Sequence, residues 1–255
     1  MLLLKLPELA DRRTATMNAA NLGQHIHHRY DSELESLRSR VVSMGGLAER
    51  QISDALTALR EQNLELAEYV IRTDHRINAQ EVNIDEDCTY VLARRQPAAG
   101  DLRMVMAIIK TITDIERIGD ESGKIAMTTI RQSAPPAPDL ETAMQEIDNM
   151  GLQVRNFLRE ALDAFVRMDV QAAVTAARRD EDIDQRYVTL LTNLTDHIKE
   201  FPQDAEDCQS LIWVIRSLER IGDHSRNICE YVIYLVKGKD VRHITIDELE
   251  QEAGV

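Results

Sequence analysis

Backbone-breaking residues are scarce in this chain of 255 residues, which has ten glycines and six prolines, and aromatics make up only 4%. A sandwich or barrel needs turn residues at short intervals, so that poverty excludes an all-β fold. Cysteine numbers three (Cys88, Cys208 and Cys229), an odd count without CxxC spacing, which excludes a disulfide framework and points to a reduced cytoplasm. No apolar run approaches the roughly 20 residues that span a bilayer. Met1–Leu6 is too short for a signal-peptide core and has no cleavage site behind it. Positive charge is in deficit as well. Thirty Lys and Arg stand against 44 Asp and Glu, a formal charge of −14 that repels a phosphate backbone and argues against nucleic acid as a ligand.

What the chain does have is helix. Apolar residues make up 44%, enough for a substantial core, and they recur with helical period between widely spaced breaks. Those breaks are Pro97-Ala98-Ala99-Gly100, the run Ala134-Pro135-Pro136-Ala137-Pro138, and Phe201-Pro202. The pattern predicts helices over 30–60, 64–95, 101–131, 140–167, 170–199 and 204–236. Short connections make neighbouring helices antiparallel. The expected fold is all-α, two tandem three-helix bundles of six long helices. The expected parts are an N-terminal arm (1–29), a first unit (30–133), a proline-rich joint (134–138), a second unit (139–238) and a C-terminal tail (239–255).

The two units are repeats. Glu116-Arg117-Ile118-Gly119-Asp120 recurs 103 positions later as Glu219-Arg220-Ile221-Gly222-Asp223. At an offset of 106, Met44-Gly45 matches Met150-Gly151, Ala55-Leu56 with Ala58 matches Ala161-Leu162 with Ala164, and Asp74 matches Asp180. Pro97 and Pro202 stand at corresponding breaks. Such ordered matches across all three helices indicate a tandem duplication.

The repeated pentamer carries the chemical interest. Residues four apart share a helix face, so Glu116 with Asp120 and Glu219 with Asp223 form carboxylate pairs. Each glutamate interrupts an apolar seam one turn ahead of a glycine. On the preceding helix Asp74, Asn78, Glu81 and Asp85 form one stripe, and Asp180 and Asp184 occupy the matching positions in the second unit. Facing carboxylates are costly when buried unless cations lie between them, and their hard oxygens suit Mg²⁺, Mn²⁺, Fe or Zn²⁺. The alternative is that these acids face solvent, paired with Arg117 and Arg220. His25, His27 and His28 precede the first predicted helix and are expected in the arm. The three cysteines and Met104, Met106 and Met127 are expected in the core, and Trp213 as an anchor in packing or at an interface.

The twin Glu-Arg-Ile-Gly-Asp motif, with Arg95-Gln96-Pro97-Ala98-Ala99-Gly100-Asp101-Leu102-Arg103 ahead of the first copy, resembles the PhoU family. These are accessory proteins of the bacterial high-affinity phosphate transporter. Further matching segments are Glu33-Leu34-Glu35-Ser36-Leu37-Arg38, Met44-Gly45-Gly46-Leu47, and Val236-Lys237-Gly238-Lys239-Asp240-Val241-Arg242-His243. Residues 1–21 lie outside the resemblance. It implies two three-helix bundles related by a pseudo-two-fold axis, in a homodimer without catalytic activity. The implied role is a cytoplasmic negative regulator of the phosphate-starvation response. Its implied partners are the ATP-binding subunit of the phosphate ABC transporter and a sensor histidine kinase, through which alone it meets the membrane. Some members carry iron or zinc clusters on an E/D-x-x-x-D motif, which here falls on Glu116/Asp120 and Glu219/Asp223, with Asp74, Asn78, Asp180 and Asp184 facing. Asn78 stands where the second unit has Asp184, so the first site is expected to hold metal more weakly.

Two other readings were weighed. A ferritin-like di-metal oxidase needs Glu-x-x-His, and none of the seven histidines has a glutamate three residues ahead. A metal-independent helical scaffold needs only the bundle surfaces and differs from the metal reading in one property.

Overall fold

The computed structural model describes residues 11–132, 137–242 and 244–254, with side chains from Ser32 onward. Among these the chain is helical throughout, with no strand. The first bundle is built from α1 (Asp11–Glu61), α2 (Leu64–Thr73), α3 (His75–Arg95) and α4 (Ala99–Arg131). The second repeats it as α5 (Glu141–Arg167), α6 (Val170–Ala177), α7 (Arg179–Glu200) and α8 (Ala205–Lys237), and α9 (Ile246–Ala253) closes the chain.

The duplication reaches down to single caps. Helices α1 and α5 end at equivalent residues in the left-handed region, Gln62 (φ 50°) and Met168 (φ 52°). Immediately after, the Asn63 side chain accepts from the Leu66 amide at 3.0 Å, and Asp169 from the Ala172 amide at 2.9 Å. These N-caps satisfy amides that the first turns of α2 and α6 leave free.

Each expected second helix is bent into two. The first bend falls at Asp74, where the Thr73 hydroxyl donates to the carbonyls of Tyr69 (2.8 Å) and Val70 (3.2 Å). At Val70 it competes with the amide that would continue the helix. The second falls at Arg178, two residues before Asp180, the equivalent of Asp74. The bends bring Asp74 and Asp180 against the third helices.

Both ends of the chain are more ordered than expected. Helix α1 runs back to Asp11, along a stretch that holds no proline and a single glycine, Gly23. From Asp11 on, the expected arm is therefore helix; residues 1–10 and the side chains of His25, His27 and His28 lie outside the described residues. The expected tail contains α9, opened by a capping box between Thr245 and Glu248, with Ile246, Leu249 and Ala253 buried. Of the methionines, Met104 is core whereas Met106 is exposed. The three cysteines are free and buried, as expected of core residues. Trp213 packs against little of its own chain, at 63% exposed.

The halves meet helix on equivalent helix. α4 lies along α8, and α1 crosses α5. A side-chain carbon placed on Gly45 would stand 2.3 Å from Leu162 Cδ1, and one placed on Gly151 would stand 2.2 Å from Leu56 Cδ1. The two contacts are images of one another, each glycine receiving the leucine of the other copy. Larger residues there would overpack the crossing. Gly45→Val and Gly151→Val should each cost about 1–3 kcal/mol. Leu162→Ala alone should cost about 2–5 kcal/mol. Combining Leu162→Ala with Gly45→Val should cost clearly less than the two separate losses together. Thermal denaturation of the four proteins measures this, and strict additivity would refute the contact.

Candidate functional site

In the first bundle, Asp74 sits half-buried at the α2–α3 bend, turned toward Gly119 of α4. Its Oδ1 accepts a long hydrogen bond, 3.4 Å, from Nε2 of Gln51 on α1. A side-chain carbon on Gly119 would lie 3.0 Å from that Asp74 oxygen and 3.1 Å from Gln51 Oε1, so two oxygens converge where only glycine leaves room. Gln51 is 6% exposed, and its Oε1 has no hydrogen-bond partner among the described residues. The buried Oδ1 of Asn78 likewise has none. Glu116, one turn before Gly119, is held above its ordinary value by burial and by the charges of Asp120, Glu81 and Asp74. Burial also raises Asp74, with Asp120 adding to it. Glu81 therefore belongs to this cluster, and Thr113 on α4 donates to it at 3.2 Å.

The second bundle gathers Asp180 and Asp184 of α7 with Glu219 and Asp223 of α8. Asp180 is buried, and Arg226 Nη1 donates to its Oδ2 at 3.0 Å. Burial outweighs that partner and pushes Asp180 up to about 6, with Asp184 and Asp223 contributing. Glu219 is pushed up to about 7 by burial and then by Asp223, against the pull of Arg216, whose Nη1 donates to it at 2.8 Å. Burial and Asp184 raise Asp223 as well. Asp180 Oδ1 and Glu219 Oε2 remain without a partner among the described residues.

All eight predicted residues thus fall into two clusters, one per bundle, in the groove between the bent helix and the third helix. Asp120, Asp184 and Asp223 lie at its exposed rim. Neither cluster is a finished cage: among the described residues, no three His, Cys, Asp or Glu side chains stand where one ion could bind them all. The donor sets differ. The first offers hard oxygens, including the orphaned Gln51 Oε1, around the Gly119 cradle, the donor type a hard cation takes, without gathering three acids about one point. The second already holds two guanidinium groups on its carboxylates and does not fit one.

The most buried acids are elsewhere, on the face of α4 that meets α8. Asp114, 2% exposed, accepts from His224 Nδ1 (2.7 Å), Tyr231 OH (2.8 Å) and Asn227 Nδ2 (3.1 Å), all on α8. Glu121 is equally buried and pairs with Arg220 Nε at 2.7 Å and Lys124 Nζ at 2.9 Å. Neither acid was singled out from sequence, because each stands outside the repeated motif. The signal was nevertheless available: Asp114 falls on the helical stripe of Ala107, Thr111 and Ile118, as Glu116 falls on that of Ile109 and Ile112.

The PhoU domain family model matches the chain twice, over residues 41–129 and 147–232. The chain belongs to the PhoU family. It is 46% identical over 236 residues to the phosphate-specific transport system accessory protein PhoU homolog of Pseudomonas putida, covering 92% of this chain and 91% of that one. It is 41% identical over 235 residues to the accessory protein PhoU of Escherichia coli K12, covering 92% and 96%. The crystal structure of PhoU from Pseudomonas aeruginosa superposes with a TM-score of 0.77 at 44% identity, covering 82% of this chain and all of that one. The phosphate transport system regulatory protein PhoU from Streptococcus pneumoniae gives 0.77 at 31% identity, covering 83% and 99%. PhoU structures thus share the tandem-bundle fold.

The raised carboxyls make stability depend on pH. An acid whose folded value is raised favours folding in its neutral form, so its contribution is complete below the ordinary value, 4.5 for Glu219, and is lost as pH climbs through about 7. In chelator-treated protein, Glu219→Gln should therefore raise Tm at pH 8 and leave it nearly unchanged at pH 5. The rise should be about 2–4 °C, the shift that 1 kcal/mol gives a domain of this size. An equal shift at both pH values would sink this account.

Proposed function

We propose that this chain is a non-enzymatic, cytoplasmic negative regulator of the phosphate-starvation response. It couples a high-affinity phosphate ABC transporter to a sensor histidine kinase, works as a homodimer and modulates phosphate uptake. The observation that carries the reading is the full-length match to transport-system accessory proteins, which spans both bundles. Supporting it, no helix among the described residues is long and apolar enough to cross a membrane, so the transporter and kinase would be reached through protein contacts. The net charge of −14 disfavours nucleic acid as the alternative target.

The fold suggests how a contact on one bundle reaches the other. The α4–α8 seam is tied by Asp114 and its three donors, a contact that would couple a movement of one bundle to the other. A partner that tilts one half biases the face the other half presents.

In a strain lacking this gene, a starvation-gene reporter should rise severalfold in phosphate-rich medium. The wild-type chain should silence it again, and it should co-purify with the transporter's ATP-binding subunit. A reporter indifferent to deletion would defeat the proposal. The second reading, a metal-independent scaffold, is favoured by the guanidinium-paired second cluster. It requires co-purification to survive EDTA, whereas a metal-dependent regulator would lose its partner.

A further inference from the structure

Helix α4 carries a charge pattern that neither acidic cluster uses. Arg103, Lys110, Arg117, Lys124 and Arg131 stand seven residues apart along nearly its whole length. They make a basic line about 42 Å long in a chain whose acids outnumber its bases. A seven-residue repeat drifts about 20° per heptad around a straight helix, the path that a helix packed alongside follows. The line keeps to α8 throughout. At one end Arg103 Nε donates to the carbonyl of Leu235 at 3.2 Å, and Lys110 Nζ lies 5.4 and 5.3 Å from the ring centres of Tyr231 and Tyr234. At the other end Lys124 and Arg131 line a groove with Glu206, Ser210 and Trp213 of α8.

Positions that flank a helix–helix seam often hold cations, because their alkyl stems cover apolar surface while acids on the facing helix neutralise them. Here charge is left over. The equivalent line on α8, 103 positions later, reads Glu206, Trp213, Arg220, Asn227 and Tyr234, with one acid and a further cation. The buried Glu121 is shared by Lys124 and Arg220, at 2.9 and 2.7 Å. Arg117 and Arg131 are exposed and form no ion pair with any described residue.

The two ends of the seam are images of one another but are covered differently. Lys110 corresponds to Trp213, and Tyr231 and Tyr234 correspond to Thr128 and Arg131. Two tyrosines therefore flank Lys110, whereas the Trp213 end is an open groove of about 560 Å³ whose indole is 63% exposed, with the half-buried Met127 in the same groove. An exposed apolar anchor point beside unneutralised cations suits a segment that is apolar on one side and acidic on the other.

We infer that the open face of the α4–α8 seam docks an acidic amphipathic helix of a protein partner. Its carboxylates meet Arg117, Lys124 and Arg131, and its apolar residues cover Trp213 and Met127. A helix laid in the groove keeps step with cations repeated every seven residues. An anionic membrane is the poorer match, since the basic line is narrow and the chain as a whole carries −14. The docking surface requires a protein partner but not the regulatory role proposed above, and it could stand if that role fell.

Trp213 is the chain's one tryptophan, so its emission reports on this surface alone. The probe is a synthetic helical peptide of about six turns, with glutamates every seven residues beside a leucine stripe, titrated into the full chain. Binding should shift the emission to the blue and should weaken severalfold from low to high salt, as screening sets in. Arg117→Glu with Arg131→Glu should weaken it by at least about tenfold, and because both side chains are exposed and unpaired the fold is spared. Arg72→Glu with Arg94→Glu, the same charge change at exposed positions of α2 and α3, should leave the affinity unchanged. No binding, equal loss with both pairs of substitutions, or binding indifferent to the first pair would overturn the inference. So would a blue shift given by phosphatidylserine vesicles and not by the peptide, which would make the face a membrane contact. A blue shift that grows with protein concentration in the absence of peptide would make it a contact between copies of this chain, and would overturn it too.

Discussion

The architecture depends on how closely a helix can approach its own duplicate. α1 crosses α5 at a distance that Gly45 and Gly151 set, and each glycine receives the leucine that the other copy presents. A contact of this type is self-complementary, as in a two-fold dimer, except that one chain supplies both sides. Once the crossing is fixed, α4 and α8 lie side by side, and the bent second helices are left on the outside. The acidic grooves are outer features for that reason: they lie between a helix of the central seam and an outer helix.

The same geometry explains why buried charge sits where it does. A carboxylate buried between α4 and α8 must be satisfied by the side chains around it, most of them from the opposite half. Asp114 meets this with three donors from α8, and Glu121 meets it with Arg220 and Lys124. By position, these two ends of the seam are related: Asp114 faces His224, whereas the equivalents of that pair are Ser217 and Glu121. Duplication produced identical ends, and each then acquired its own solution. Deleting Asp114 costs more than a typical hydrogen bond is worth, because the buried His224 and Tyr231 are left without their acceptor.

Much of this was legible in the sequence. The scarcity of glycine and proline, the helical period and the ordered repeats pointed to two three-helix bundles, and they set the paired carboxylates on corresponding helices of each. What escaped has identifiable causes. The bends at Asp74 and Arg178 leave apolar periodicity almost intact, since a bend keeps a helix's faces in register. The N-terminal extent of α1 was missed because residues 11–29 carry no strong apolar stripe, although little there would stop a helix. α9 was overlooked although Thr245 and Glu248 spell a capping box. Gln51 could not have been found from spacing, because it reaches the acids from a third helix.

The arginines of the second acidic cluster show the limit of reading a duplicated chain by its matches. Glu-Arg-Ile-Gly-Asp is identical in both halves, and identity invites the conclusion that both halves do the same thing. Charge is decided by neighbours as much as by motif, and the neighbours at positions 113 and 123 differ from those at 216 and 226. A guanidinium at 3.0 Å and a neutral amide at 3.4 Å leave matching aspartates in opposite circumstances, one compensated and one not. Matching motifs in a duplicated fold thus leave its two grooves electrostatically unequal, because each carboxylate answers to the side chains its own bundle places beside it.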